Sequence, residues 1–128
     1  MSFCTAINCM DGRTQLPVNE YLRNVLGVHY VDTITEPGPP KILAEQQDSP
    51  LARSILSRLD ISVNEHGSKS IALVAHHDCA GNPASEQEQK QQSKVALQFL
   101  AKKYSGVALL GLWVDADWTT HEFARLDT

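Results

Sequence analysis

Two short clusters hold the residues best able to do chemistry: Cys9-Met10-Asp11-Gly12-Arg13 and His76-His77-Asp78-Cys79. Two thiolates and one imidazole suit zinc. A Cys2His set fills three corners of a tetrahedron and leaves the fourth for water or substrate, the pattern of a catalytic site. Sulfur ligands disfavour magnesium and calcium. The His76-x-x-Cys79 spacing lets one turn present two ligands, and Cys9 must then close the site from a neighbouring segment. Asp11, two residues past Cys9, is spaced to accept a hydrogen bond from zinc-bound water. Arg13 can hold that carboxylate in a charge-assisted pair and keep it ionised and oriented. Zinc brings the pKa of bound water toward neutrality and so supplies a hydroxide nucleophile. The plainer reading is two buried thiols, a loop histidine, and an Asp11–Arg13 pair that merely pins a turn.

Other candidates have modest readings. Cys4 falls within an apolar run and reads as a small core residue. His77 could replace His76 as ligand or shuttle a proton, but reads first as facing solvent or a carbonyl. Asp78 reads equally as ligand-orienting or turn-stabilising. His29, His66 and His121 show no partner pattern and read as structural. Trp113 and Trp118 flank the last turn and read as core or a subunit contact.

The elements that must position these clusters follow from periodicity. Residues 3–8 read as a short apolar strand that delivers Cys9. Pro17 suits the first turn of a helix whose apolar stripe is Val18, Tyr21, Leu22, Val25 and Leu26, ended by Gly27. Residues 28–34 are β-branched and aromatic enough for a second strand. The run Thr35-Glu36-Pro37-Gly38-Pro39-Pro40 opens a long loop over 35–48. Ser49-Pro50 caps a helix carrying Leu51, Ile55, Leu56, Leu59 and Val63. Residues 70–75 are near-continuously apolar, as in a strand buried on both faces, and deliver the second cluster. Asn82-Pro83 opens a further helix, polar from Glu86 to Gln92 along what reads as a solvated face, then apolar. Residues 107–115 make a fourth strand, and 119–126 return as an antiparallel edge. This order implies an α/β fold. Its central sheet is mostly parallel, of order 2-1-3-4 with the antiparallel edge strand beyond, and carries helices on both faces. With strands one and three adjacent, both clusters meet at the edge where strand order reverses.

Composition sets the remaining bounds. At 128 residues, 42% hydrophobic and 20% charged, residues 1–128 read as one globular domain. A net charge of −4 without a Lys/Arg cluster argues against nucleic-acid and anionic-membrane partners. Three cysteines do not make a disulfide framework, and they fit a reducing, cytoplasmic setting. The N-terminus shows no secretory leader, and the longest apolar run, 107–114, is too short to span a bilayer.

Cys9-x-Asp11-x-Arg13 followed by His76-x-x-Cys79 resembles the zinc signature of the β-class carbonic anhydrases, and the likeness extends over most of the chain. It implies Zn²⁺ on Cys9, His76 and Cys79, with Asp11 and Arg13 as the family's catalytic dyad. It implies reversible hydration of CO2 to bicarbonate by zinc hydroxide, and a homodimer or higher oligomer. Related scaffolds host carbonyl sulfide and carbon disulfide hydrolases, and in some members the equivalent aspartate itself binds zinc. A non-catalytic zinc-binding protein is the remaining alternative. Three departures stand out. No helical arm precedes Cys9, Ala80 follows Cys79 where the family more often has glycine, and the Thr35-Glu36-Pro37-Gly38 segment keeps only the glycine of the family's loop.

Overall fold

Residues 2–128 are described by a computed structural model, and the alternation read from the sequence closes into a five-stranded sheet of order β2-β1-β3-β4-β5. The strands are β1 (Phe3–Cys9), β2 (Tyr30–Glu36), β3 (Ser70–His76), β4 (Ala108–Val114) and β5 (Thr120–Asp127). The first four run parallel and β5 returns antiparallel to β4. The helices are α1 (Gln15–Leu26), α2 (Pro39–Glu45), α3 (Pro50–Asp60) and α4 (Glu86–Ala101).

Strand side chains alternate between two apolar layers, as a period of two requires. Ile7, Ile71, Leu73 and Leu109 face Leu43, Ile55, Leu59, Leu97 and Leu100 of α2, α3 and α4. Cys4, Ala6, Ala72, Val74, Leu110 and Leu112 face Val18 and Leu22 of α1. The expected sheet order, edge strand and two-sided helix cover are therefore all present. Strand order reverses between β1 and β3, so the carboxyl ends of these neighbours open a crevice at that point.

Local differences from the expectations have physical causes. β2 starts at Tyr30, because Gly27 caps α1 in a left-handed conformation and the amides of His29 and Tyr30 then bond the Ser2 carbonyl. The expected loop over 35–48 contains α2. Its two prolines occupy the first helical positions, where a missing N–H costs nothing, and burial of Ile42 and Leu43 supplies the driving force. α4 begins not at Asn82-Pro83 but after Ser85, whose hydroxyl accepts from the Glu88 amide at 3.1 Å. Ser49 caps α3 as read, accepting from Ala52 N–H at 3.1 Å. The chain then runs on through one π-helical turn, Ile61–Glu65. There Ser62 exchanges hydrogen bonds with Thr5 of β1 at 2.5 Å and with Ser68 at 2.7 Å. Val25 and Leu51, placed in apolar stripes from sequence, are exposed. No helix among the described residues is long and apolar enough to cross a membrane.

Candidate metal centre

Cys9 is the last residue of β1 and His76 the last of β3, so adjacent parallel strands end with ligand-type residues at the same sheet edge. Cys79 follows in the β3–α4 loop. All three are buried, and their donor atoms lie within 4.8 Å of one another. The two sulfurs are 3.9 Å apart.

His76 shows what the cluster is suited for. Its Nδ1 lies 2.7 Å from the His77 carbonyl, a contact that requires a proton on Nδ1 and, in the neutral ring that a metal would bind, puts the lone pair on Nε2. That Nε2 is buried and finds no hydrogen-bond partner. A buried nitrogen without a partner is costly, and a metal ion between it and the two thiols removes the cost. The donor set therefore fits a soft or borderline cation such as zinc.

Electrostatics agree with a shared negative charge. A hydrogen bond from the Cys79 thiol holds Cys9 far below the ordinary thiol range, against burial, with further help from His76 and from backbone bonds at Gly38 and Asp11. The same bond, together with burial, pushes Cys79 upward, partly offset by backbone bonds from Asn82 and Gly81. Burial works against the His76 imidazolium, but the Cys9 sulfur and the His77 carbonyl outweigh it and raise the group.

The backbone groups around the sulfurs come from close loop contact. Gly38 sits at φ +66°, and a Cβ there would lie 2.7 Å from the Asn82 Cβ. A Cβ on Gly81 would lie 2.7 Å from the Pro37 carbonyl carbon. Gln89 reaches back from α4. Its Nε2 donates to the carbonyls of His76 and Ala84 at 3.1 Å each, and its Oε1 accepts from the His76 amide at 3.4 Å. The Glu86–Gln92 stretch is thus not wholly a solvated face, because Gln89 is 2% exposed. Nothing in the sequence singles it out from Gln87, Gln91 and Gln92 of the same stretch.

Asp11 and Arg13 pair as expected. The Arg13 Nε donates to Asp11 Oδ1 at 3.0 Å, Nη2 donates to Oδ2 at 2.7 Å, and the Arg13 amide donates to Oδ1 at 2.9 Å. The side-chain bond to Arg13 is the main cause that brings the Asp11 carboxyl down to about 2. Gln15 and Thr14 fix the turn by donating to the Asp11 carbonyl, each at 2.9 Å. The Asp11 carboxylate stands outside the three-donor group.

The other residues are placed partly as read. Asp78 does not orient a ligand directly; its carboxylate meets Arg13. Trp118 packs beside the α1-side layer and also over Arg13, a site contact that sequence reasoning missed. His77 is exposed, and Cys4 and Trp113 are buried. His66 and His121 do have partners, Asp32 at 2.6 Å and Asp115 at 2.7 Å, both away from the cluster.

Solved structures of β-carbonic anhydrases share this fold. One is from work on two tetrameric β-carbonic anhydrases of Sordaria macrospora. It matches with a TM-score of 0.57 at 13% identity, over 96% of this chain and 81% of that one. Another is the β-carbonic anhydrase CafA of Aspergillus fumigatus, with a TM-score of 0.51 at 14% identity, over 94% and 74%. The family described as "Putative carbonic anhydrase" matches residues 1–124, and the chain belongs to it. Comparison with curated protein sequences found no significant match.

Proposed function

We propose that this chain is a zinc-dependent carbonic anhydrase that reversibly hydrates CO2 to bicarbonate. The observation that carries this reading is the unpartnered, buried Nε2 of His76 grouped within 4.8 Å of two thiol sulfurs. Cys9, His76 and Cys79 would hold the ion, and two sulfurs with one imidazole suit zinc. Zinc bound there supplies the Lewis acidity that makes water a nucleophile near neutral pH. The chain's own residues do the rest. The His77 carbonyl keeps the His76 proton on Nδ1, which leaves Nε2 free to ligate. Backbone bonds to the sulfurs spread their negative charge. Asp11, ionised above about pH 2, can only accept hydrogen bonds near neutrality, so it orients a water O–H. Arg13 grips both carboxylate oxygens and fixes that orientation. The released proton passes to bulk water beside the exposed His77.

Residues 1–128 are read as one domain, and the assembly as a homo-oligomer, in line with the tetrameric Sordaria macrospora enzymes. Three free cysteines suit a cytoplasmic setting. Metal analysis together with stopped-flow CO2 hydration tests the function. The expected result is about one zinc per chain, with hydration that is lost on chelation and returns with added zinc. Zinc without hydration overturns the reaction and leaves the site standing. Sulfide release from carbonyl sulfide without CO2 hydration overturns the substrate. Absence of zinc overturns the metal centre.

A further inference from the structure

Among the described residues, two non-glycine residues have a left-handed backbone, Asp78 at φ 58° and Trp118 at φ 60°. Both touch Arg13. A left-handed backbone is unfavourable for a side chain with a Cβ, most of all a bulky one, and persists only where the surroundings impose it. Asp78 lies between His77 and Cys79. Its carboxylate accepts from Arg13 Nη1 at 3.3 Å and its carbonyl accepts from Nη2 at 3.2 Å. Trp118 lies in the β4–β5 turn, its ring centroid 4.4 Å from the guanidinium carbon and 6.4 Å from the His76 ring. That turn is built to present it. The Asp115 carbonyl accepts from the Trp118 amide at 2.9 Å, and the Asp115 carboxylate accepts from the amides of Asp117 and Thr119 at 2.9 and 3.0 Å.

One guanidinium therefore has an attachment in each of three loops. Asp11 lies in the first, which follows Cys9 at the end of β1; Asp78 lies in the second, between His76 at the end of β3 and Cys79; and Trp118 stands in the third. We propose that Asp78 and Trp118 are positioning residues that act through Arg13 as a staple, locking the two ligand-bearing loops together before metal arrives. This rests on the reading that Cys9, His76 and Cys79 hold zinc. A planar fork of five donors can grip Asp11 on two sites, reach Asp78 with the rest, and offer its face to an indole; an ammonium cannot. Loops ordered at folding need not be ordered again at ligation, which strengthens binding and slows release.

Amide hydrogen exchange on the metal-free protein and zinc release to a chelator test this together. Trp118→Leu keeps apolar bulk but loses the π face, Trp118→Phe keeps the face, and Asp78→Asn removes the charge with a residue that tolerates the left-handed backbone. Exchange across residues 9–13 and 76–82 is expected to speed up about tenfold in W118L and to stay within about twofold of the parent in W118F. Zinc release should quicken by about tenfold in W118L and D78N. Adding W118L to R13K should change neither quantity further, because both act through one group. Unchanged loop exchange in W118L overturns the staple, and so does a multiplicative effect in the double variant. If the parent protein takes up no zinc, the metal reading falls, and loop exchange alone decides the staple.

Discussion

Single side chains divide here by the state of one proton or one lone pair. His76 is useful because its Nδ1 proton is committed to a carbonyl 2.7 Å away, which frees Nε2. Replacing Cys9 or Cys79 with serine swaps a soft donor for a hard one, so zinc content measured by plasma mass spectrometry is expected to fall from about one per chain to near zero. Asp11→Asn keeps the shape and loses the charge. Zinc should remain while CO2 hydration falls by about a hundredfold, read as kcat at saturating CO2. Cys4 obeys a different rule. Burial, helped by the charge of Asp32, pushes its thiol from 9.0 up to about 11. The neutral thiol is favoured in the fold, so its contribution to stability is full below pH 9 and is lost as pH rises through 11. Denaturation from pH 8 to 11 should show the stability gap between the parent and Cys4→Ala narrowing over that window.

At the scale of elements, the site depends on loops that touch backbone to backbone. Gly38 and Gly27 have nearly the same φ, +66° and +67°, yet a Cβ on Gly27 meets nothing within 4 Å whereas one on Gly38 strikes Asn82. Gly27→Ala should therefore cost about 1 kcal/mol, the price of the backbone alone. Gly38→Ala should cost more than about 2 kcal/mol, since the 81–82 loop must also move. Urea denaturation compares the two, and equal costs would mean that the loops yield freely. Because Gly38 also lends a backbone bond to Cys9, the same change should weaken zinc binding while Gly27→Ala leaves it alone. Gln89 links α4 to the end of β3 in the same way, by holding the His76 backbone rather than its ring.

Across the whole molecule, the sheet brings together candidate metal donors that lie 70 residues apart, as Cys9 and Cys79 do. A metal bound there would report on the global fold. An ion that binds only the folded state stabilises it by about 2.7 kcal/mol at a hundred times its Kd. Thermal unfolding of the parent should shift upward as free zinc increases, while Cys9→Ser should not respond. Two chain-wide layers, one under α1 and one under α2, α3 and α4, hold the β1 and β3 ends side by side in the folded chain.

How much of this was legible in the chain follows from what each feature depends on. Cys9, His76 and Cys79 could be picked out from the sequence as candidate donors because the capacity to ligate depends on residue type, and because a strand that is apolar throughout, such as 71–75, announces burial on both faces. Sheet order followed from right-handed crossovers between elements whose periods were clear. α2 was hidden because two prolines signal a break, while only the packing of Ile42 and Leu43 shows that they start a helix. Gln89 sat in a polar run, and nothing local distinguishes a glutamine that faces water from one that faces a neighbouring strand. The Asp11–Arg13 pair was visible at a spacing of two residues. Its anchorage to Asp78 and Trp118 was not, because those contacts span 65 and 105 positions and depend on two backbones held in a conformation their residue types disfavour. Residue types and periods determined which groups could bind a metal and which strands would carry them. Tertiary packing decided which loops meet, which nitrogen is left without a partner, and what holds the arginine, since those depend on distances that only the closed sheet creates.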